Sequence, residues 1–98
     1  MKKSDAIKLL RQQVDALRQM GAKSLYLFGS TARGRARSYS DIDIFIEPEK
    51  GRPFSLVDLA TMQEFLRRSL QHDVDLTTRR SLHPMLRDDI RRSAIKIF

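Results

Sequence analysis

The sequence contains no cysteine, which excludes both a disulfide framework and a thiolate-ligated metal site. It also lacks any long hydrophobic run, its apolar stretches extending over only a few residues. No segment is therefore long enough to cross a membrane as a helix. The amino-terminal residues Met1-Lys2-Lys3-Ser4-Asp5 lead directly into an amphipathic pattern, without the apolar core of a signal peptide. A cytoplasmic location is the expectation. There is no internal repeat and no low-complexity segment. The 98 residues are expected to form one domain spanning 1–98, with one modest core. A large acceptor substrate would then have to dock from outside.

What is present is a soluble globular composition, 41% hydrophobic and 32% charged, with a formal net charge of +7 and a pI near 10.4. A surface so basic attracts polyanions: nucleic acid, nucleoside triphosphates or an acidic protein. The arginines fall in pairs (Arg67-Arg68, Arg79-Arg80, Arg91-Arg92). They are not interleaved with aromatic residues, as a single-strand binding groove would require, so direct nucleic-acid binding stays open.

The hydrophobic spacing predicts alternating helices and strands. Ser4 is placed as an N-cap, and Ile7, Leu10, Val14 and Leu17 follow on one helical face until Gly21. Ser24 to Phe28 reads as a buried strand, and Ser30 to Ala36 as a short helix, followed by a turn around Arg37-Ser38-Tyr39-Ser40. Asp41 to Glu47 alternates strictly: Ile42, Ile44 and Ile46 point one way, Asp41, Asp43 and Phe45 the other. Ser55 to Asp58 has the form of a capping box, with Phe54 placed to staple against Leu59. The helix it opens is expected to bury Leu56, Leu59, Ala60, Leu66 and Leu70, with Gln63 in that face and Phe65 opposite. Asp73 to Thr78 alternates again. Pro84 opens a last short helix to about Ile90, and Ala94 to Phe98 is a final strand. The fold class predicted is α/β (α+β): a small mixed sheet of about four strands with helices mainly on one side.

Asp41 and Asp43 stand two residues apart on a strand, so both carboxylates leave from one face, with Cα atoms roughly 6.5–7 Å apart. Two like charges so placed repel unless a cation neutralises them. Hard oxygen ligands suit Mg²⁺, which accepts one or two carboxylates together with phosphate oxygens. Upstream, Gly29 and Ser30 end a strand where a helix begins, and a helix start offers unpaired backbone N–H groups to a phosphate. Arg33 follows on the same turn and could hold a phosphate or a neighbouring carboxylate.

Gly29-Ser30-Thr31-Ala32-Arg33-Gly34, followed after six residues by Asp41-Ile42-Asp43, resembles the signature of the DNA polymerase β-type nucleotidyltransferases. It resembles most closely the minimal nucleotidyltransferases (MNT) of prokaryotes. The similarity extends to Asp73-Val74-Asp75-Leu76 and to Leu82-His83-Pro84. The resemblance implies the nucleotidyltransferase fold and a Mg²⁺-dependent transfer of a nucleoside monophosphate, with two Mg²⁺ ions as cofactor and ATP as substrate. It also implies that Gly29 and Ser30 bind the triphosphate, that Asp41 and Asp43 ligate both metals, and that Asp75 ligates the catalytic metal and helps deprotonate the attacking hydroxyl. Asp73 shares the strand face of Asp75; the Val-Asp-Leu context and interior position favour Asp75. His72 and His83 have no metal-ligand spacing. The partner that the resemblance implies is a HEPN-domain toxin, modified on a tyrosine by this chain acting as antitoxin. An antitoxin that works by docking alone, and transfer to RNA or a small molecule, are the alternatives.

Overall fold

The computed structural model describes residues 1–37 and 39–98. The expected turn around Arg37 to Ser40 includes Ser38, which lies outside the described residues. Beside it, the Arg37 N–H donates to Ser40 Oγ at 3.1 Å.

The chain runs α1 (Lys3–Gln12), α2 (Val14–Gln19), β1 (Ala22–Phe28), α3 (Gly29–Ala32), β2 (Ile42–Pro48), α4 (Leu56–Leu70), β3 (Val74–Thr78), α5 (Arg87–Ser93) and β4 (Ile95–Lys96). Two 3₁₀ turns, Arg79–Ser81 and Pro84–Leu86, lie between β3 and α5. The four strands form one mixed sheet in the order β3-β2-β1-β4. β1 pairs antiparallel with both β2 and β4. β2 and β3 run parallel, a connection that needs a crossover, which α4 supplies.

The alternation in β1 and β2 decides which face is dry. Leu25 lies opposite Ile46 and Leu27 opposite Ile44, so these side chains share a face, and all four are fully buried. Ala6, Leu10 and Leu17 from α1 and α2, and Met62, Leu66 and Leu70 from α4, complete the same core. The opposite face carries Tyr26, Phe28, Asp43 and Phe45, again paired across β1 and β2. Phe45 was expected on this face and is nonetheless fully buried. It stacks on Tyr26 at 4.7 Å between ring centroids and meets Phe28 at 5.5 Å. The Arg79 guanidinium lies over both Tyr26 and Phe45, at 4.9 and 5.1 Å.

Several expectations need correction. Ser4 is not the N-cap of the first helix: Lys2 takes that position without a side-chain bond, and Ser4 sits inside the first turn. The single helix expected up to Gly21 is divided at Gln13, where φ −101° and ψ 8° leave helical geometry; the Gln13 N–H turns back to Leu10 O at 3.1 Å. The short helix predicted to Ala36 ends at Ala32, because the chain reverses at Gly34 with φ +71°. There the N–H of Arg35 reaches back to Ser30 O at 2.9 Å.

On α4 the capping box forms as predicted. The Asp58 N–H donates to Ser55 Oγ, and the Ser55 N–H to the Asp58 carboxylate, an arrangement worth about 1 kcal/mol. The buried stripe differs from the expected one. Met62, Leu66 and Leu70 are its centre, with Leu59 and Phe65 partly covered against it, whereas Leu56 is 83% exposed and Ala60 is exposed. Leu59 already meets the core in the first turn of α4, so Leu56 and Ala60 lie to the side of the buried stripe. Gln63 is used for backbone pairing: the Leu76 N–H of β3, an edge strand, donates to Gln63 Oε1 at 3.0 Å. The final strand is shorter than Ala94 to Phe98, although the Ile97 N–H and Phe98 O continue its pairing with Leu25 at 2.8 and 2.9 Å.

Candidate functional site

Three aspartates gather where the N-terminal halves of β2 and β3 lie side by side. Asp43 is in β2, between β1 and β3, directly across from Phe28 on one side and from Asp75 on the other. Asp41 immediately precedes β2 and is exposed, as is Asp75; Asp43 is half-buried. The environment of Asp43 is that of a carboxyl reluctant to ionise. Burial, then the charge of Asp75, then that of Asp41, raise its pKa from 3.8 to about 6, against a smaller opposing pull from the Arg33 guanidinium. Asp73 is not among the charges that act on Asp43. It precedes β3, and its carbonyl accepts the Ile42 N–H at 3.0 Å, so its backbone closes the strand pair while its side chain is exposed.

Gly29 is held to its identity from two directions. Its φ of +72° is left-handed, and a β-carbon added there would overlap Asp43 Oδ2 and stand 3.1 Å from Asp43 Cγ. The carboxylate thus lies directly on the glycine, at the start of α3. This contact ties together two residues fourteen apart in the chain, Gly29 following directly on Phe28, the partner of Asp43 across the β1–β2 ladder. The residue before α3, Phe28, provides no side-chain cap, so the first N–H groups of the turn keep no acceptor from the preceding side chain. Ser30 lies within that first turn, half-buried, and not at the N-cap. Thr31 beside it is 1% exposed, and its Oγ1 is buried without a hydrogen-bond partner among the described residues.

Arg33 leaves the end of α3 and forms an ion pair with Asp89 of α5. This contact with a carboxylate is one of the two roles that the sequence left open to Arg33. Asp89 had no signal in the sequence beyond its place in a run of two acids, since its role arises only where α5 packs beside α3. Arg79 was likewise legible only as a member of an arginine pair. In the fold it roofs the Tyr26–Phe45 stack and donates from Nε to Glu47 at 2.8 Å. Both histidines contact backbone atoms close to them in the chain. The Met85 N–H donates to His83 Nδ1 at 3.1 Å, which caps the turn opened by Pro84. His72 Nδ1 lies 3.0 Å from the Asp73 carbonyl oxygen.

Among the described residues no group of three His, Asp or Glu side chains converges closely enough to hold a metal through protein ligands alone. The aspartates do suit Mg²⁺ in its usual protein sites, where one or two carboxylates share the ion with water and phosphate. They are hard oxygen donors, their charges reinforce one another at Asp43, and two of the three are open to solvent.

Comparison with known proteins points to one family. The nucleotidyltransferase domain family matches residues 8–97. A Methanocaldococcus jannaschii protein provisionally named as a protein adenylyltransferase is 37% identical over 87 residues, covering 89% of this chain and 91% of that protein. A solved structure described provisionally as a minimal nucleotidyltransferase superposes with a TM-score of 0.77 at 36% identity, covering 97% of this chain and 95% of the other. A toxin–antitoxin crystal structure with AMP-PNP has a TM-score of 0.68 at 26% identity, covering all of this chain and 73% of that one.

Proposed function

The chain belongs to the nucleotidyltransferase domain family, and on that premise we propose that it moves AMP from ATP to a tyrosine hydroxyl of a partner protein. The partner proposed is a HEPN-domain toxin, this chain being its cytoplasmic antitoxin. It is a nucleotidyltransferase of the minimal type, as its likeness to a minimal nucleotidyltransferase over nearly the full length of both chains indicates. The observation that carries the reading is the seating of the Asp43 carboxylate against Gly29, which brings a carboxylate group and an open helix start to one place. Support for a protein acceptor comes from the adenylyltransferase relative and from the likeness to the toxin–antitoxin complex that holds AMP-PNP.

Each residue then has a defined task. Gly29 makes room beside the backbone for the Asp43 carboxylate, and the first N–H groups of α3, that of Gly29 among them, donate with the Ser30 hydroxyl to phosphate oxygens. Arg33, at the end of α3, adds a positive charge near the same place. Asp41, Asp43 and Asp75 would hold two Mg²⁺ ions, whose charge offsets that of the triphosphate and of the transition state. The acceptor hydroxyl oxygen bonds to the α-phosphorus while the bond from that phosphorus to the bridging oxygen breaks. Pyrophosphate leaves, and the hydroxyl proton passes to Asp75. Asp75 is the favoured base because it stands level with Asp43 across the β2–β3 pair and is exposed.

The test is incubation with labelled ATP, Mg²⁺ and the HEPN protein. A gain of AMP on the partner, abolished by Asp41→Asn and by Asp43→Asn, supports transfer. Full neutralisation of the partner by the Asp43→Asn variant would instead establish docking alone. Label passing to RNA and not to protein would replace the acceptor.

A further inference from the structure

A concavity of about 920 Å³ lies at the end of the sheet away from the aspartates. It opens between the C-terminal ends of β2 and β3, the first turn of α4, and α5. Asp43 and Glu47 lie four residues apart on β2, so the mouth of this groove is roughly 13 Å along the strand from the carboxylates. Its rim carries Lys50, Arg52, Arg79, Arg80, Arg87 and Arg91, against one acid, Glu47. Glu47 is already taken by Arg79. Arg52 has Glu49 at 3.9 Å and the Gln19 carbonyl oxygen at 2.6 Å. Among the described residues no ion pair engages Lys50, Arg80, Arg87 or Arg91. Four cations therefore face one opening uncompensated.

Between the cations the groove is apolar, with Leu59, Leu82 and Ile90 inside and Leu56 at its edge. Leu56, at the start of α4, is 83% exposed. An exposed leucine beside uncompensated arginines matches a ligand with acidic and apolar faces together.

We infer that this groove docks an acidic, amphipathic segment of the acceptor protein. Single-stranded RNA matches it less well, since such ligands need aromatic platforms for their bases, and the one aromatic residue here, Phe54, is half-buried. The inference rests on the protein-acceptor reading above and extends it. A segment anchored in the groove has about four extended residues, or roughly nine helical ones, in which to bring a hydroxyl to the carboxylates.

The test uses a fluorescein-labelled peptide of about 14 residues, ~21 Å long as a helix, with glutamates on one face and leucines on the other. A scrambled peptide of equal composition and a single-stranded RNA of equal length serve as comparators. Anisotropy is read with the full chain, without ATP or Mg²⁺. Binding at least about tenfold tighter than the scrambled peptide is expected. That preference should fall about tenfold in Arg80→Glu/Arg87→Glu and several-fold in Leu56→Ser, whose site is too exposed to endanger folding. Equal binding of the two peptides would overturn the inference in favour of a generally basic surface. Tighter RNA binding, indifferent to Leu56→Ser, would overturn it in favour of nucleic acid. The outcomes also separate the two readings: peptide preference without AMP transfer to protein keeps the groove and removes the acceptor, while transfer without peptide preference removes the groove alone.

Discussion

Replacing Asp43 with asparagine should stabilise the metal-free protein at neutral pH while abolishing transfer. In the fold the Asp43 carboxyl gives up its proton at about pH 6, because burial and the neighbouring Asp75 and Asp41 charges oppose its ionisation; its ordinary value is 3.8. The folded state therefore holds more protons than the unfolded state between these two values, so stability falls as pH rises through that window. Below it both states are protonated and nothing is lost; above it the penalty is complete. The difference between these two values corresponds to about 3 kcal/mol. The side chain is only half-buried, and solvent screening reduces this to roughly 1–2 kcal/mol. The gap between variant and parent should accordingly widen in favour of Asp43→Asn by roughly that amount from pH 4 to pH 7.5, equivalent to about 4–16 °C in Tm for a domain of this size. Urea unfolding of both proteins in EDTA at the two pH values measures it, and other titrating groups cancel in the difference. An equal gap at both values, or a variant that loses ground as pH rises, would refute the electrostatic reasoning. Millimolar Mg²⁺ at pH 7.5 should raise the midpoint of the parent and leave that of the variant unmoved.

Gly29→Ala should cost about 1–2 kcal/mol from the left-handed backbone alone. Its β-carbon would also displace the Asp43 carboxylate, and transfer should drop more than about tenfold; a variant with full activity would contradict the contact between the two residues. Arg33→Gln removes the one charge that opposes the rise at Asp43, so the acidic limb of the pH–rate profile should move to higher pH, with KM for ATP raised in proportion to any phosphate contact. Asp89→Asn, which frees Arg33 from its ion pair, should leave that limb closer to the parent's than Arg33→Gln does, and coincident profiles for the two variants would argue that Arg33 acts only through Asp89. Asp58→Ala breaks the capping box of α4 and should lower the midpoint of urea unfolding without changing KM.

The amino-acid sequence by itself determined the parts of this protein that depend on local periodicity. The alternation of Asp41 to Glu47 assigned β2 and both of its faces, and Ser55 with Asp58 marked the start of α4. The spacing of Gly29-Ser30 from Asp41 and Asp43 marked the likeness to nucleotidyltransferases. Each is a short-range pattern, written in residues that are neighbours in the chain.

Only the tertiary structure decided which residues meet. The stripe of α4 is centred on Met62, Leu66 and Leu70 and leaves Leu56 outside, because packing against the sheet decides which part of a broad apolar face is covered. Phe45 is buried on a face that alternation would leave open, because Tyr26, Phe28 and Arg79 arrive from other elements. Asp75 and not Asp73 stands level with Asp43, a matter of parallel register, which the two-residue period of a strand leaves undecided between residues on one face. Arg33 with Asp89, and the ring of cations around Leu56, likewise belong to pairs distant in sequence. Their chemistry comes from packing, which brings together charges and surfaces that no short window of the chain holds at once.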